Sequence, residues 1–91
     1  MEIIRIGTDN TGKIKIHESF EFDGIKIDVG ISKEGVSMVY DGVELNIFRH
    51  FEKQNIPNAI EQFKIKCENT NYGKSDIIAY SEKVKTAKNL K

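Results

Sequence analysis

Residues 13–22 alternate between apolar and polar side chains, and this alternation constrains the fold more than any other feature of the chain. Apolar residues occupy the even positions except at Glu18. Because successive side chains of a β-strand point to opposite faces of a sheet, the pattern predicts a strand with one buried face. Asp23 and Gly24 follow directly and predict a type I′ hairpin turn, since both central residues of that turn need positive φ.

The same alternation continues through two further turns, at residues 32–35 and 41–42, and predicts a register for each hairpin. The expected pairs on the apolar face are Phe22–Ile25, Phe20–Ile27, Ile16–Ile31, Ile31–Val36, Val29–Met38, Ile27–Tyr40, Tyr40–Val43, Met38–Leu45 and Val36–Ile47. The expected pairs on the solvent-facing side are Glu21–Lys26, Ser37–Asn46 and Val39–Glu44. A further strand is expected before them, with a loop over 8–12 that lets Ile6 face Ile14 and Ile4 face Ile16. Residues 1–47 are therefore predicted to form a five-stranded antiparallel β-meander.

After residue 46 the spacing of apolar residues becomes helical. Ile56, Ile60, Phe63 and Cys67 fall on one helical stripe, with Pro57 in the first turn, where proline is tolerated. Residues 63–67 also alternate, so a strand is the alternative there, and we favour the helix. A last helix is expected from Ser75 or Asp76 onward, with Ile77, Tyr80, Val84, Ala87 and Leu90 on its apolar stripe. The fold class is α+β: one domain over 1–91, whose sheet has one face covered by two C-terminal helices in 48–91.

Composition excludes several classes of protein. The chain has 91 residues, too few for separate cofactor and substrate domains, and its 14 Lys and Arg balance its 14 Asp and Glu. A single cysteine excludes an intramolecular disulfide and a multi-cysteine zinc site, and fits a reducing compartment. No signal peptide and no run of apolar residues long enough to cross a membrane is legible, so a cytoplasmic location without membrane partners is expected.

Groups able to carry catalysis are few, and each has a simpler structural interpretation. His17 and His50 are expected on the surface, and a small hydrolase built around either is a remote option. Cys67 is expected to pack in the core. Glu18 breaks the apolar pattern. We favour a strand end or bulge that turns its carboxylate outward, or pairing with a cation such as Arg5 or Arg49; the alternative is a buried carboxylate in a pocket or an interface. No phosphate-binding loop, metal motif or cofactor is predicted, and the chain is not expected to be an enzyme.

Charge is unevenly distributed along the chain. Residues 18–44 hold seven acidic and two basic side chains, whereas residues 74–91 hold five lysines and two acids. We therefore expect a non-enzymatic protein-binding module, an inhibitor or regulator that docks on a basic surface of a partner protein. The residues expected to contact the partner are Glu21, Asp23, Asp28, Glu34 and Asp41. The alternative is nucleic-acid binding through the last helix, with Lys83, Lys85, Lys88 and Lys91 as the contacts. The open edge strands of a meander also predict a homodimer.

Overall fold

A computed structural model describes residues 3–5 and 13–89, with only the backbone at positions 88 and 89. Within these residues four strands form one open antiparallel sheet in sequential order. The strands are β1 (Lys15–Phe22), β2 (Ile25–Ser32), β3 (Gly35–Tyr40) and β4 (Val43–Arg49). The predicted α+β class and sequential hairpins are confirmed, but the sheet has four strands rather than five.

The turn at Asp23 and Gly24 has the predicted type I′ character, and the turn at Asp41 and Gly42 shares it. Asp23 and Gly24 have φ of 50° and 85°, and Asp41 and Gly42 have φ of 49° and 82°. These turns set the register of the residues next to them, as expected for two-residue hairpins. The confirmed pairs are Phe22–Ile25, Glu21–Lys26, Phe20–Ile27, Ile31–Val36, Val29–Met38, Tyr40–Val43 and Val39–Glu44.

Two bulges displace four other predicted pairs by one residue. The predicted Ile27–Tyr40 pair lies one position beyond Asp28–Val39, where the pairing of β2 with β3 ends. A bulge between Ile16 and Glu18 puts Ile16 opposite Gly30 rather than Ile31, and Lys15 takes the place opposite Ile31. A second bulge faces Met38 and Val39. The pairs beyond it are Met38–Asn46, Ser37–Ile47 and Val36–Phe48, so the predicted Met38–Leu45, Val36–Ile47 and Ser37–Asn46 pairs are wrong. In a bulge two residues oppose one, and strict alternation therefore fails beyond it.

The prediction for the N-terminal strand is also wrong. Ile4 does not face Ile16 beside β1; it forms a parallel bridge with Val43 at the opposite edge of the sheet. Its N–H donates to the carbonyl of Gly42 at 2.8 Å, and its carbonyl accepts from the N–H of Glu44 at 2.9 Å. Sequence alternation carries no information on which edge a strand joins. The predicted Ile6–Ile14 pair and the loop over 8–12 lie outside the described residues.

Two helices follow the sheet, after a short 3-10 helix at Lys53–Asn55. They are α1 (Ile56–Asn69) and α2 (Lys74–Asn89), so the helical interpretation of residues 63–67 is confirmed. α1 ends in a Schellman motif, in which Asn71 has a φ of 54° and the N–H of Tyr72 donates to the carbonyl of Cys67 at 2.8 Å. α2 therefore begins only a few residues after α1 ends, and both helices pack against the sheet.

The core lies between the apolar face of the sheet and the helices. Ile27, Val29, Val36 and Met38 of the sheet are fully buried. From α1 the core takes Ile56, Phe63 and Cys67 of the predicted stripe together with Ala59, whereas Ile60 of that stripe is only partly buried. The ring of Phe63 packs edge-on against Phe20 and Phe22, with centroids 6.1 and 5.7 Å apart. Tyr40 is partly buried against the same cluster. The aromatic rings of the sheet are therefore covered rather than displayed.

Candidate functional site

The five acidic residues expected to contact a partner do not share one surface. Asp23 and Asp41 lie in the β1–β2 and β3–β4 turns, at one end of the sheet, whereas Glu34 lies in the β2–β3 turn at the other end. Glu21 of β1 and Asp28 of β2 lie between these ends, and Glu21 pairs with Lys26 while Asp28 pairs with Ser19. Three of the five acids have strong partners within the chain.

Asp23 closes the N-terminus of α2. Its carboxylate accepts a hydrogen bond from the backbone N–H of Lys74 at 2.9 Å, fifty-one residues away along the chain. A carboxylate here satisfies an N–H that has no partner within the helix and interacts favourably with the helix dipole. The side chain of Asp76 accepts from the N–H of Gly73 at 3.0 Å. A Cβ at Gly73 would stand 2.9 Å from the Asp23 carboxylate, so the glycine permits this close approach. The role of Asp23 is therefore structural.

Asp41 makes an ion pair with Lys85 of α2. Lys85 is one of the four lysines predicted to bind nucleic acid. The ion pair therefore joins a residue of the predicted protein-binding site, Asp41, to a residue of the predicted nucleic-acid-binding site. Lys83 is exposed on α2. The side chain of Lys88 and all of Lys91 lie outside the described residues. Of the two lysines in this set whose side chains the structure describes, Lys83 is exposed and Lys85 is ion-paired with Asp41.

Glu34 belongs to a largely buried ionic network centred on Arg5. The guanidinium of Arg5 donates to Glu34 at 2.8 Å and to Glu44 at 3.2 Å, and the hydroxyl of Ser37 donates to Glu44 at 2.6 Å. The side chains of Arg5, Glu34 and Glu44 are 7%, 15% and 0% exposed. Such contacts are charge-assisted hydrogen bonds, stronger than those between neutral groups.

This network shifts the pKa of two of its members. The hydrogen bond from Arg5 lowers the pKa of the Glu34 carboxyl, against the opposing effect of burial. Burial by itself would lower the pKa of the Arg5 guanidinium, but hydrogen bonds to Glu34 and Glu44 outweigh it and raise that pKa. Both shifts favour the charged forms, so the ion pairs persist at neutral pH.

The network also lies on the second face of the sheet, the face that points away from the core and was predicted to be exposed to solvent. Ser37, Val39 and Glu44, predicted to face solvent, are each 0% exposed. Arg5 reaches Glu44 on this face, and a Cβ at Gly30 would stand 2.2 Å from a methyl group of Ile14. The β3–β4 part of this face is therefore covered, which the alternation could not indicate.

What remains accessible on the second face belongs to β1 and β2. We call the outward side chains of Ser19, Glu21, Lys26 and Asp28 the hairpin face. Glu21 and Lys26 are exposed, and the side chain of Asp28 is 21% exposed, 3.9 Å from Lys26. This surface therefore presents Glu21 and Lys26 to solvent, with Asp28 partly exposed beside them. It contains two of the five predicted contact residues.

The candidate chemical groups are not assembled into a reactive site. His17 and His50 are exposed, and Glu18 is exposed at the β1 bulge, which confirms the outward interpretation of that carboxylate. Cys67 is 4% exposed, and burial raises the pKa of its thiol. Among residues 3–5 and 13–89, no group of three or more His, Cys, Asp or Glu side chains could hold a metal ion.

An open groove between β4 and α1 was not foreseen from the sequence. It has a volume of about 570 Å³ and is lined by Asn46, Ile47, Phe48, Gln62, Ile65, Lys66, Asn69 and Thr70. Ile65, which lies off the predicted apolar stripe of α1, is 47% exposed in the wall of this groove. A lone exposed isoleucine in a helix with one clear apolar stripe gives no signal of a groove in the sequence. The lining lacks an acidic side chain.

No protein-family model, no curated protein and no solved structure matches this chain. Among the described helices, none combines the length and apolar character that a membrane span requires.

Proposed function

We propose that this chain is a small non-enzymatic protein-binding module that docks through the hairpin face onto a basic surface of a partner protein. By occupying that surface it would inhibit or regulate the partner. The observation that carries this proposal is the contrast between two groups of acids. Glu21 is exposed and Asp28 is 21% exposed on one outward face, where the charged partner of Asp28 is Lys26 of the same hairpin, while Asp23, Glu34 and Asp41 are bound to groups elsewhere in the chain.

The geometry of the hairpin face supports docking of a protein. Its side chains project from two paired strands, so their spacing is set by the sheet rather than by a mobile loop. Lys26 lies 3.9 Å from Asp28, so the face presents a defined pattern of opposite charges. Complementary charges of this kind fix orientation and speed encounter more than they add affinity.

The nucleic-acid alternative has weaker support. A single-strand platform needs aromatic rings on an open sheet face, and Phe20, Phe22 and Tyr40 lie on the covered face. Of the lysines proposed for that role, Lys85 is paired with Asp41. The described part of α2 contains no arginine, the residue best suited to reading base edges.

The proposal is tested by titrating the ¹⁵N-labelled chain with a peptide of alternating lysine and threonine, and separately with mixed-sequence single-stranded RNA. We expect amide shifts from the peptide to cluster between Ser19 and Asp28. Shifts along α2 at Lys83 and Lys85 with the RNA, and none with the peptide, would instead establish the alternative. Shifts confined to the groove beside Ile65 would contradict both.

A pair of double variants controls for total charge. Glu21→Gln with Asp28→Asn removes both carboxylates from the hairpin face, and Glu61→Gln with Glu82→Gln removes the same charge from exposed positions on the helices. Exposed ion pairs contribute about 0.2–1 kcal/mol each. The first variant should therefore bind the peptide about tenfold more weakly, and the second should bind like wild type. Equal losses would show that only net charge matters. The same variants used as bait in native lysate test whether a natural partner follows the same pattern.

A further inference from the structure

The outer edge of β1 is regular and open between Glu18 and Phe22. On its inner side this stretch pairs with β2 residue by residue, and no described strand pairs with its outer side. The bulge between Ile16 and Glu18 interrupts the spacing of backbone groups, so the regular edge begins at Glu18. An open edge presents N–H and C=O groups with which an extended segment of another protein can pair.

The register of the hairpin shows which backbone groups this edge offers. Phe22 and Ile25 flank the two-residue turn, so they form a hydrogen-bonded pair. Bonded and non-bonded pairs alternate along an antiparallel ladder, and the backbone groups of Ser19 and Glu21 therefore point away from β2. The edge thus offers two N–H donors and two C=O acceptors, from residues about 7 Å apart along the strand.

The carboxylates beside this edge are not neutralised by described residues. Lys26 lies opposite Glu21 in the hairpin, but its ammonium nitrogen is 3.9 Å from a carboxylate oxygen of Asp28. Among the described residues, neither Glu21 nor Glu18 forms an ion pair, and both side chains are exposed. A segment that carries cations therefore meets complementary charge on this part of β1.

The charges nearby limit where such cations can lie. Phe20 and Phe22 are partly buried on the core side of the edge, and the ammonium nitrogen of Lys64 is 5.3 Å from the centre of the Phe20 ring. A second cation on that side would be repelled, so uncharged side chains are favoured there. Lys13 and Lys15 precede the bulge and disfavour a basic segment on that part of the chain.

We propose that the basic partner binds as an extended segment that adds to the outer edge of β1 as a further antiparallel strand. Its backbone pairs with Ser19 and Glu21, its basic side chains lie on the hairpin face beside Glu21, and its alternate side chains are apolar or threonine and lie beside Phe20 and Phe22. Antiparallel pairing continues the arrangement of every hairpin in the sheet and is slightly more stable per residue than parallel pairing. This inference rests on the proposed function, because it specifies how the same partner binds.

Amide hydrogen exchange in the intact chain tests for the added strand, with the peptide of alternating lysine and threonine as the probe. Without peptide, Ser19 and Glu21 should exchange faster than Phe20 and Phe22, whose N–H groups bond to β2. At a peptide concentration ten times its Kd, exchange at Ser19 and Glu21 should slow about tenfold, because only the unbound fraction leaves these amides free. If the peptide binds and these two amides exchange as before, the partner docks through side chains alone and the added strand is refuted.

Two N-methylated peptides are the matched controls, since they carry the same charges and differ in which backbone N–H groups are removed. In the antiparallel arrangement the lysines lie opposite Ser19 and Glu21 and donate to their carbonyls, whereas the threonine N–H groups point to solvent. Methylation of the lysine amides should therefore weaken binding about tenfold. Methylation of the threonine amides should leave binding like that of the parent peptide. Equal binding by the two methylated peptides, or weaker binding by the threonine-methylated one, would overturn the antiparallel edge.

The remaining outcomes separate this inference from the proposed function. If the parent peptide does not bind, both fail. If it binds at the hairpin face and the two methylated peptides bind equally, only the added strand fails. Slow exchange at Ser19 and Glu21 without peptide, increasing with protein concentration, would assign the edge to a second copy of the chain and overturn the basic segment as its occupant.

Discussion

Arg5→Met should destabilise the fold far more than an ordinary surface substitution. The change keeps the apolar part of the side chain and removes the cation that lies 2.8 Å from Glu34 and 3.2 Å from Glu44. Glu44 is 0% exposed, so water cannot replace the lost cation there. Glu34 is 15% exposed and can regain some hydration.

The magnitude follows from these burials. Removing one partner of a buried ion pair costs about 3–5 kcal/mol, and the partial exposure of Glu34 favours the lower end, about 3 kcal/mol. A chain of 91 residues has a total free energy of unfolding of about 5–14 kcal/mol. The variant should therefore lose between a fifth and more than half of its stability, a difference that is easily measured.

Urea unfolding followed by far-ultraviolet circular dichroism measures this loss, since the chain has no tryptophan. Arg49→Met is the matched control, because Arg49 is exposed at the end of β4 and its replacement should stay within about 0.5 kcal/mol of wild type. If Arg5→Met and Arg49→Met unfold at the same urea concentration, the network does not stabilise the fold and the reasoning is refuted.

The same variant should change the response to acid. Arg5 lowers the pKa of Glu34 in the folded chain, so the contribution of Glu34 to stability is present above the ordinary carboxyl pKa of about 4.3. It is lost as the pH falls through the lower, folded value, because the unfolded chain then binds the proton more readily. Wild type should therefore lose stability more steeply on acidification than Arg5→Met. Parallel curves for the two proteins would contradict this linkage.

Three further predictions concern single positions. Gly35→Ala should lower the free energy of unfolding by about 3 kcal/mol or more, because φ is 148° and a Cβ would meet the carbonyl oxygen of Phe48 at 2.1 Å. Gly24→Ala should lower it by about 1 kcal/mol, because a Cβ there would have open space. Thermal unfolding compares the two variants, and equal losses of stability would contradict the clash at Gly35. Asp23→Ala should cost about 1 kcal/mol by removing the helix cap, with faster amide exchange at the start of α2, and unchanged exchange would count against that cap. Burial and a raised pKa should protect the Cys67 thiol from disulfide reagents until the chain unfolds, so rapid labelling of native protein at neutral pH would be inconsistent with the core position.

Turn dipeptides and apolar spacing correctly predicted those parts of the fold that depend only on residues close together in sequence. Asp23-Gly24 and Asp41-Gly42 set two turns and their adjacent pairs, because turn chemistry acts over four residues. The apolar stripe of α1 identified Phe63 and Cys67 as core residues. Errors began at the two bulges, where one extra residue shifts every later pair and no residue type marks the position in advance.

The N-terminal segment was misplaced for a different reason. Alternation shows that a segment suits a sheet, but either edge can accept it. At the edge of β4, Arg5 reaches Glu34 and Glu44, a contact between residues 29 and 39 positions apart that a sequence pattern does not display. The same contact buries one face of β3 and β4. The position of this segment therefore accounts for the missing fifth strand beside β1, and its Arg5 adds a contact on the face that was predicted to be solvent-exposed.

The candidate site changes for a related reason, because a count of charges does not show which of them are available. Residues 18–44 contain seven acids, of which four have basic or backbone partners elsewhere in the chain: Asp23, Glu34, Asp41 and Glu44. Each partner lies more than twenty-five residues away in sequence, so local charge balance overstates the acidity that a partner protein would meet. The other three acids, Glu18, Glu21 and Asp28, all lie on β1 or β2. Under the proposed function, a basic partner would therefore be recognised by this one hairpin, and substitutions at the capping and ion-paired acids should alter stability rather than binding.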